Sequence, residues 1–285
     1  MPLVSCKHIV LDAQRGGYAI AAINSNGGNY DILRACMETA EEMKAPFITQ
    51  CYVRNGKYAG LGYVAHSAKY LIQQFAPSVP VALHLDHGQE FADCVEAVRA
   101  GFTSVMCDGS KLPLEENIAL TRKVLEMARA VGVTVEAEVG QLLSGETDPN
   151  SPAIVQVDDV RQFTAAVEVD MLAVAIGNSH GYYKGVPVIN TQRLKEVRAV
   201  TDVPLVLHGC TGMAEATVKE CIRLGMAKIN FGTMLRNHYL KYFDEAYHGM
   251  DHQGHPWRCM QYAKDRLKDD VRWILSLTGS EGKAS

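Results

Sequence analysis

The 285-residue chain reads as an α/β protein folded as a TIM (β/α)8 barrel, and three observations predict it. Strand-like and helix-like segments alternate from end to end, with eight short apolar runs at 18–24, 47–52, 81–87, 104–108, 134–139, 172–177, 205–209 and 228–231. The runs are apolar throughout rather than alternating, as parallel strands buried on both faces must be. Polar residues collect at their C-terminal ends, where such a barrel gathers its chemistry. An open doubly wound sheet is the alternative. It is weakened by the lack of a GxGxxG turn after the first run and by the even spread of polar strand ends.

In chain order, the N-terminal MPLVSCKHIVLDAQRGG has no apolar signal core. After the first run, 30–44 places Ile32, Leu33, Cys36, Met37 and Ala40 at helical spacing. Residues 115–131 repeat the pattern with Ile118, Leu120, Val124, Leu125, Met127 and Ala128, and 157–167 and 215–224 behave alike. The least regular stretch, 141–152 (QLLSGETDPNSP), follows the fifth run. It is expected as an active-site loop or as a passive surface connection. No Pro/Gly/Ser-rich linker divides the chain, so residues 1–285 are expected to form one barrel domain. After about residue 246 a less regular tail leads to an amphipathic helix at 262–277, a helical extension packed outside the barrel or against another subunit.

Composition excludes several classes. Hydrophobic residues make up 47%, enough for a sizeable core, and 28 basic against 32 acidic residues leave a net charge of −4 with no basic block. No nucleic-acid surface is expected. No run approaches a membrane span, so no membrane partner is expected either. The eight cysteines form no CxxC pair and fall in apolar contexts, as buried free thiols of a reducing, cytoplasmic compartment do.

The densest chemistry lies in HLDHG, where Asp86 and His87 stand side by side at a strand end. The pattern recurs: 173–177 runs into Asn178, Ser179, His180 and Gly181, and 205–207 runs into His208 and Gly209. A lone histidine in an apolar run is usually a hydrogen-bonded core residue, and His84 is expected to be one. Three strand-end histidines, each followed by glycine, instead point to a three-imidazole metal site with an open position.

An ordered set of motifs extends this over nearly the whole chain: AQRGGYAIAAIN, KYAG, HLDHG, GFTSVMCDGS, VEAEVGQ, AVAIGNSHGYYKG, LVLHGCTG, KINFGT and GSEGKA. The chain resembles the class II, zinc-dependent ketose-bisphosphate aldolases, in particular their tagatose/fructose-bisphosphate branch. The resemblance implies a TIM barrel and zinc held by His87, His180 and His208. Asp86 would handle the proton on the C4 hydroxyl. Asp108 and Glu138 match a second cation position, although alone each reads as a capping or ion-paired carboxylate. Glu146, eight residues after Glu138, matches the acid that protonates the carbon after cleavage, with Asp148 as a substitute. Asn24, Gly181, Lys184, Gly209, Thr211, Gly212, Asn230, Gly232 and Thr233 fall in the substrate- and phosphate-binding positions. A sodium or potassium ion often accompanies them, and the family is dimeric or tetrameric. The implied reaction splits a fructose- or tagatose-type 1,6-bisphosphate into dihydroxyacetone phosphate and glyceraldehyde 3-phosphate. Zinc, as a Lewis acid, would stabilise the negative charge that builds on the carbonyl and C3.

Departures from the family cluster at the aldehyde end. Tyr52 stands where relatives carry a serine, Arg54 adds a nearby charge, Phe231 replaces a smaller residue, and 143–148 read LSGETD in place of a more glycine-rich loop. Arg258 falls near the tail position that contacts the distal phosphate. No Schiff-base lysine is required, and Lys228 is expected to be phosphate-side or structural. These departures keep open a different phosphorylated sugar or sugar acid as substrate. A non-catalytic partner subunit is the other alternative.

Overall fold

The computed structural model describes residues 3–144 and 153–284. Among the described residues there are ten strands: β1 (Ile20–Asn24), β2 (Phe47–Tyr52), β3 (Val81–Gly88), β4 (Ser104–Cys107), β5 (Thr134–Val139), β6 (Leu143–Ser144), β7 (Met171–Val174), β8 (Ser179–His180), β9 (Leu205–Leu207) and β10 (Met226–Phe231). Eight of them close into a barrel in the order β1-β10-β9-β7-β5-β4-β3-β2, while β6 and β8 pair separately. Every barrel ladder is parallel. This is the TIM barrel that the apolar runs predict.

The helices are α1 (Cys6–Gly16), α2 (Tyr30–Met43), α3 (Val53–Ala59), α4 (Leu61–Phe75), α5 (Phe91–Ala100), α6 (Leu114–Arg129), α7 (Val157–Ala166), α8 (Thr191–Arg198), α9 (Glu215–Arg223), α10 (Thr233–Gly249) and α11 (Pro256–Thr278). The core has two parts. A large shell lies between strands and helices, with Phe47, Leu83, Phe102, Val105 and Phe163 fully or almost fully buried. A smaller cluster fills the barrel itself, where Ile20, Ile48, Ala82, Met106, Met171 and Val206 meet Cys6, Ile9, Val10 and Ala13 of α1. Helix α1 therefore plugs the N-terminal end of the barrel, leaving the C-terminal end open.

Two sequence expectations change. The run expected at 172–177 is regular barrel strand only to Val174; beyond it the Ile176 N–H is taken by Asn178 Oδ1 at 2.9 Å and Gly177 turns the chain with φ 94°. His180 consequently lies on the separate two-residue strand β8 and not on a barrel strand. The tail helix expected at 262–277 starts earlier, at Pro256, a residue suited to the first helical turn. Helix α11 buries Cys259, Ala263, Leu267, Val271, Ile274 and Leu275, and packs against α2 and α10. All eight cysteines are buried and free.

Candidate active site

Alternation along β3 carries Ala82, His84 and Asp86 into the barrel, which leaves His87 on the opposite parity. A register shift between Leu85 and Gly88, together with a left-handed backbone at His87 (φ 54°), turns that side chain back to the same cavity. A non-glycine residue pays about 1–2 kcal/mol for this conformation. The bulge is thus how one strand end supplies two adjacent side chains to one site.

The loop after β7 delivers His180. Asn178 fastens it: its Oδ1 accepts from the Ile176 N–H at 2.9 Å, and its Nδ2 donates to the His208 carbonyl at 3.0 Å. His208 follows β9. The candidate ligand atoms of His87, His180 and His208 lie within 4.8 Å of one another. Carboxylates fix two of the rings from behind. His87 Nδ1 is 2.8 Å from Asp108 Oδ2, and His208 Nε2 is 2.9 Å from Glu136 Oε1. The opposite nitrogens, His87 Nε2 and His208 Nδ1, then face each other at 3.1 Å. Two imidazole nitrogens on one tetrahedral zinc stand roughly 3.3 Å apart, given Zn–N bonds of ~2.0–2.1 Å. That pair fits a zinc ion, and His180 offers a third imidazole within 4.8 Å of both. His87, Asp108 and Glu138 form a second cluster of possible ligands.

The electrostatics are those of a cation site. Burial opposes protonation of His87, but Asp86, the Asp108 hydrogen bond and Glu138 outweigh it and raise its pKa to about 9. His180 is exposed at the mouth, yet desolvation by the surrounding wall, reinforced by His87 and His208, lowers its pKa to about 3. Burial lowers that of His208. Burial and the neighbouring Asp108 push Glu138 up to about 8, so negative charge is crowded here. Against burial, Lys228 and His208 hold Glu136 below the usual carboxylate range.

Asp86 is buried beside this cluster. Its Oδ2 accepts from Asn24 Nδ2 at 3.1 Å and from Gln50 Nε2 at 3.2 Å. Its Oδ1 has no hydrogen-bond partner among the described residues and lies 3.8 Å from His87 Nε2. One oxygen is anchored and the other is left unpaired beside the histidines, an arrangement suited to a proton acceptor.

These groups line a cavity of 460 Å³ at the C-terminal mouth. Asn24, Asp108, Glu138, Gly181, Gly209, Thr211, Asn230, Gly232 and Thr233 are all on its wall, as expected. Thr233 opens α10, whose N-cap Gly232 has no side chain to cap it; Thr211 Oγ1 accepts from the Met234 N–H at 3.3 Å, and the other first-turn N–H groups, which have no partner within the helix, suit an anion. Lys184, Gly212, Arg54 and Arg258 are not on the wall. Lys184 and Gly212 are exposed. Arg54 is corrected by helix geometry: Tyr52 caps α3 and shares a side with Asn55, both on the wall, while Arg54 turns to solvent. Lys111 and Arg236 are the cations on the wall that were not expected. Glu146 and Asp148 lie outside the described residues. The loop's two ends meet, with Gln141 N–H donating to the Ala153 carbonyl at 3.0 Å.

Gln50, Glu136 and Lys228 also take part without having been singled out as site residues. Lys228 is fully buried in the barrel, paired to Glu136, so it is not a phosphate contact. His84 is the core histidine expected, 2.7 Å from Ser104 Oγ.

A parallel eight-stranded barrel whose mouth brings together three histidines that could hold a cation and an adjacent carboxylate has the architecture of a barrel enzyme. The chain belongs to the class II fructose-bisphosphate aldolases, a family of aldehyde-lyases whose description, "Fructose-bisphosphate aldolase class-II", matches residues 4–283. It is 37% identical over 287 aligned positions to a probable fructose-bisphosphate aldolase of Bacillus subtilis, with both chains fully covered. It is 35% identical, again over the full length of both, to a fructose-bisphosphate aldolase of Staphylococcus aureus. Among solved structures, the YdjI aldolase of Escherichia coli K12 superposes with a TM-score of 0.86 at 30% identity, covering 99% of this chain and 100% of that one.

Proposed function

We propose that this chain is a zinc-dependent aldolase that reversibly cleaves a ketose 1,6-bisphosphate, of fructose or tagatose type, to dihydroxyacetone phosphate and glyceraldehyde 3-phosphate. The observation that carries the reading is Asp86: a buried carboxylate with one anchored and one open oxygen, 3.8 Å from a ring of the three-histidine cluster. His87, His180 and His208 would hold the zinc, and Asp108 and Glu138 a second cation position. When bound, zinc supplies a Lewis acid for the ketose carbonyl and for the negative charge left by C–C cleavage. The residues do the rest. Gly209, Thr211, Gly232 and Thr233 bind the phosphate of the dihydroxyacetone half through backbone N–H groups, with Arg236 adding charge. Asp86 takes the proton of the C4 hydroxyl as the C3–C4 bond breaks. The electron pair of that bond goes to C3, and the aldehyde departs with C4. Glu146 returns a proton to C3. A sodium or potassium ion beside the phosphate loops, a homodimer or homotetramer, one barrel domain extended by α11, and a cytoplasmic setting complete the proposal. Among the described residues no helix is long and apolar enough to cross a membrane.

A second reading is favoured by Tyr52, which stands edge-on to His87 with ring centroids 6.1 Å apart and lines the cavity where the family resemblance implies the aldehyde half. It narrows that half of the cavity and suits a different phosphorylated sugar or a sugar acid. A coupled assay for dihydroxyacetone phosphate, on fructose and tagatose 1,6-bisphosphates with and without a chelator, tests both. Chelator-sensitive release supports the first reading and ranks the epimers. No release from either, by protein that holds zinc, overturns it in favour of the second.

A further inference from the structure

Beneath the three histidines lies a buried polar layer that the proposed chemistry does not use. Glu136 is fully buried on β5, with Oε1 at 2.9 Å from His208 Nε2 and Oε2 at 2.9 Å from Lys228 Nζ. Lys228, itself fully buried, donates to Asn230 Oδ1 at 2.7 Å. Asn230 Nδ2 lies 3.2 Å from His208 Nε2, so four residues close a ring. A buried ion pair is rarely the most stable filling of such a space, since well-packed apolar residues of similar volume do as well or better. Its presence under the site calls for a positional reason.

The donor and acceptor inventory supplies one. An ammonium only donates and an ionised carboxylate only accepts. Lys228 must therefore face oxygens, which turns the Asn230 carbonyl down and its NH2 group up. Glu136 Oε1 must receive a hydrogen, and His208 Nε2 is the group in front of it. With that hydrogen on Nε2, His208 Nδ1 keeps a lone pair toward His87 Nε2, 3.1 Å away. An Nε2–H cannot accept from Asn230, so the Asn230 amide hydrogens remain for a ligand oxygen in the cavity.

We infer that the Lys228–Glu136 ion pair is a positioning device with two outputs: it holds His208 in the tautomer that presents Nδ1 to a cation, and it holds the Asn230 amide with NH2 toward the substrate. This rests on the reading of His87, His180 and His208 as cation ligands.

The test is zinc affinity, by competition with a chromophoric chelator, alongside steady-state kinetics. Glutamine at 136 has one oxygen. In Glu136→Gln, Lys228 claims it, the amide NH2 faces His208 Nε2, and the ring hydrogen is forced onto Nδ1. Zinc affinity falls roughly 10- to 100-fold, as for other lost partners of metal ligands. Lys228→Met leaves Glu136 able to accept from His208, so zinc affinity stays near wild type while KM rises, because Asn230 has lost its anchor. In Glu136→Gln/Lys228→Met the amide is free to rotate, its oxygen accepts from Nε2–H, and zinc affinity recovers above that of Glu136→Gln alone. A purely structural ion pair gives another order. Either a double variant no better than Glu136→Gln, or a Lys228→Met variant as poor in zinc binding as Glu136→Gln, overturns the inference. Thermal unfolding of each zinc-free protein establishes that it is folded. If the double variant does not fold, the relative zinc affinities of the two single variants decide. Wild-type protein that bound no zinc would instead overturn the ligand reading beneath this one.

Discussion

Gly209→Ala tests how the site is held in register. Gly209 follows His208 with a left-handed backbone, and a Cβ placed there would stand 2.1 Å from the Ser179 carbonyl oxygen and 2.7 Å from its carbon. Both obstacles are backbone, so neither can rotate away. The left-handed conformation costs an alanine about 1–2 kcal/mol, and the forced separation adds about 1–3 kcal/mol as overpacking does. The sum, about 2–5 kcal/mol, is a large share of the ~5–15 kcal/mol that keeps a domain folded. Ser179 immediately precedes His180, so the movement that relieves the clash pulls His180 away from His208 and weakens zinc binding as well. Gly132 is the control: its φ is 71°, yet an added Cβ meets nothing within 4 Å. Gly132→Ala therefore carries the conformational cost alone. Urea unfolding midpoints and zinc titrations of both variants give the comparison. If Gly209→Ala destabilises no more than Gly132→Ala and binds zinc as well, the contact between the two strand-end loops does not hold the histidines together, and the reasoning fails.

Asp86→Asn keeps the hydrogen-bonding shape but removes the base, so it retains zinc and lowers turnover by roughly 10²- to 10⁴-fold in the coupled assay; undiminished turnover removes Asp86 from proton transfer. Tyr52→Ser opens the aldehyde side, and the ratio of kcat/KM values for bulky over small aldehydes in the condensation direction rises by roughly tenfold or more; an unchanged ratio removes Tyr52 from specificity. Glu38→Gln tests the join between α2 and α11, where Glu38 meets Arg34 at 2.6 Å and Lys264 at 2.9 Å. Burial opposes ionisation of Glu38, but Lys264 and Arg34 prevail and hold its pKa below the usual carboxylate value of 4.5. Its contribution, about 1 kcal/mol, is present above that value and is lost as pH falls through the depressed one. Denaturant melts should show wild type and Glu38→Gln converging only in that acid range, and a difference that persisted below it would refute the assignment.

Much of the barrel is legible because its strands are buried on both faces, so each apolar run stands out against amphipathic helices. Helix α1 was less visible, although Cys6, Ile9, Val10 and Ala13 share one helical face. Short, and preceding the first strand, it gave no hint that its partner was the barrel's own interior. The histidines are legible because each stands before a glycine at a strand end. Their supporting residues are not, and the reason is systematic. His84 lies two residues before Asp86, Glu136 two before Glu138, Lys228 two before Asn230, and Gln50 two before Tyr52. Each is on the same face of the same strand, one layer deeper. Within a run such a residue looks like an isolated polar interruption. Only the closed sheet, which sets β5, β9 and β10 around one axis, shows that the interruptions meet.

That layering explains why the molecule tolerates buried charge. The N-terminal end of the barrel interior is apolar and sealed by α1. The cluster of Glu136, Lys228, His84 and Ser104 comes next, and the open cavity lies above it. Desolvating Glu136 and Lys228 costs free energy that their mutual attraction only partly returns. The apolar floor and the shell between strands and helices supply the offsetting stability from residues that touch no ligand. If stability and chemistry are separated along the axis in this way, truncating the plug with Val10→Ala should lower stability by about 1–3 kcal/mol while the folded protein keeps its zinc affinity. Loss of the Glu136 acceptor in the charged layer, as in Glu136→Gln, should move zinc affinity. A Val10→Ala protein that stayed folded but bound zinc poorly would mean that the floor tunes the site directly, and the two layers could no longer be treated as independent.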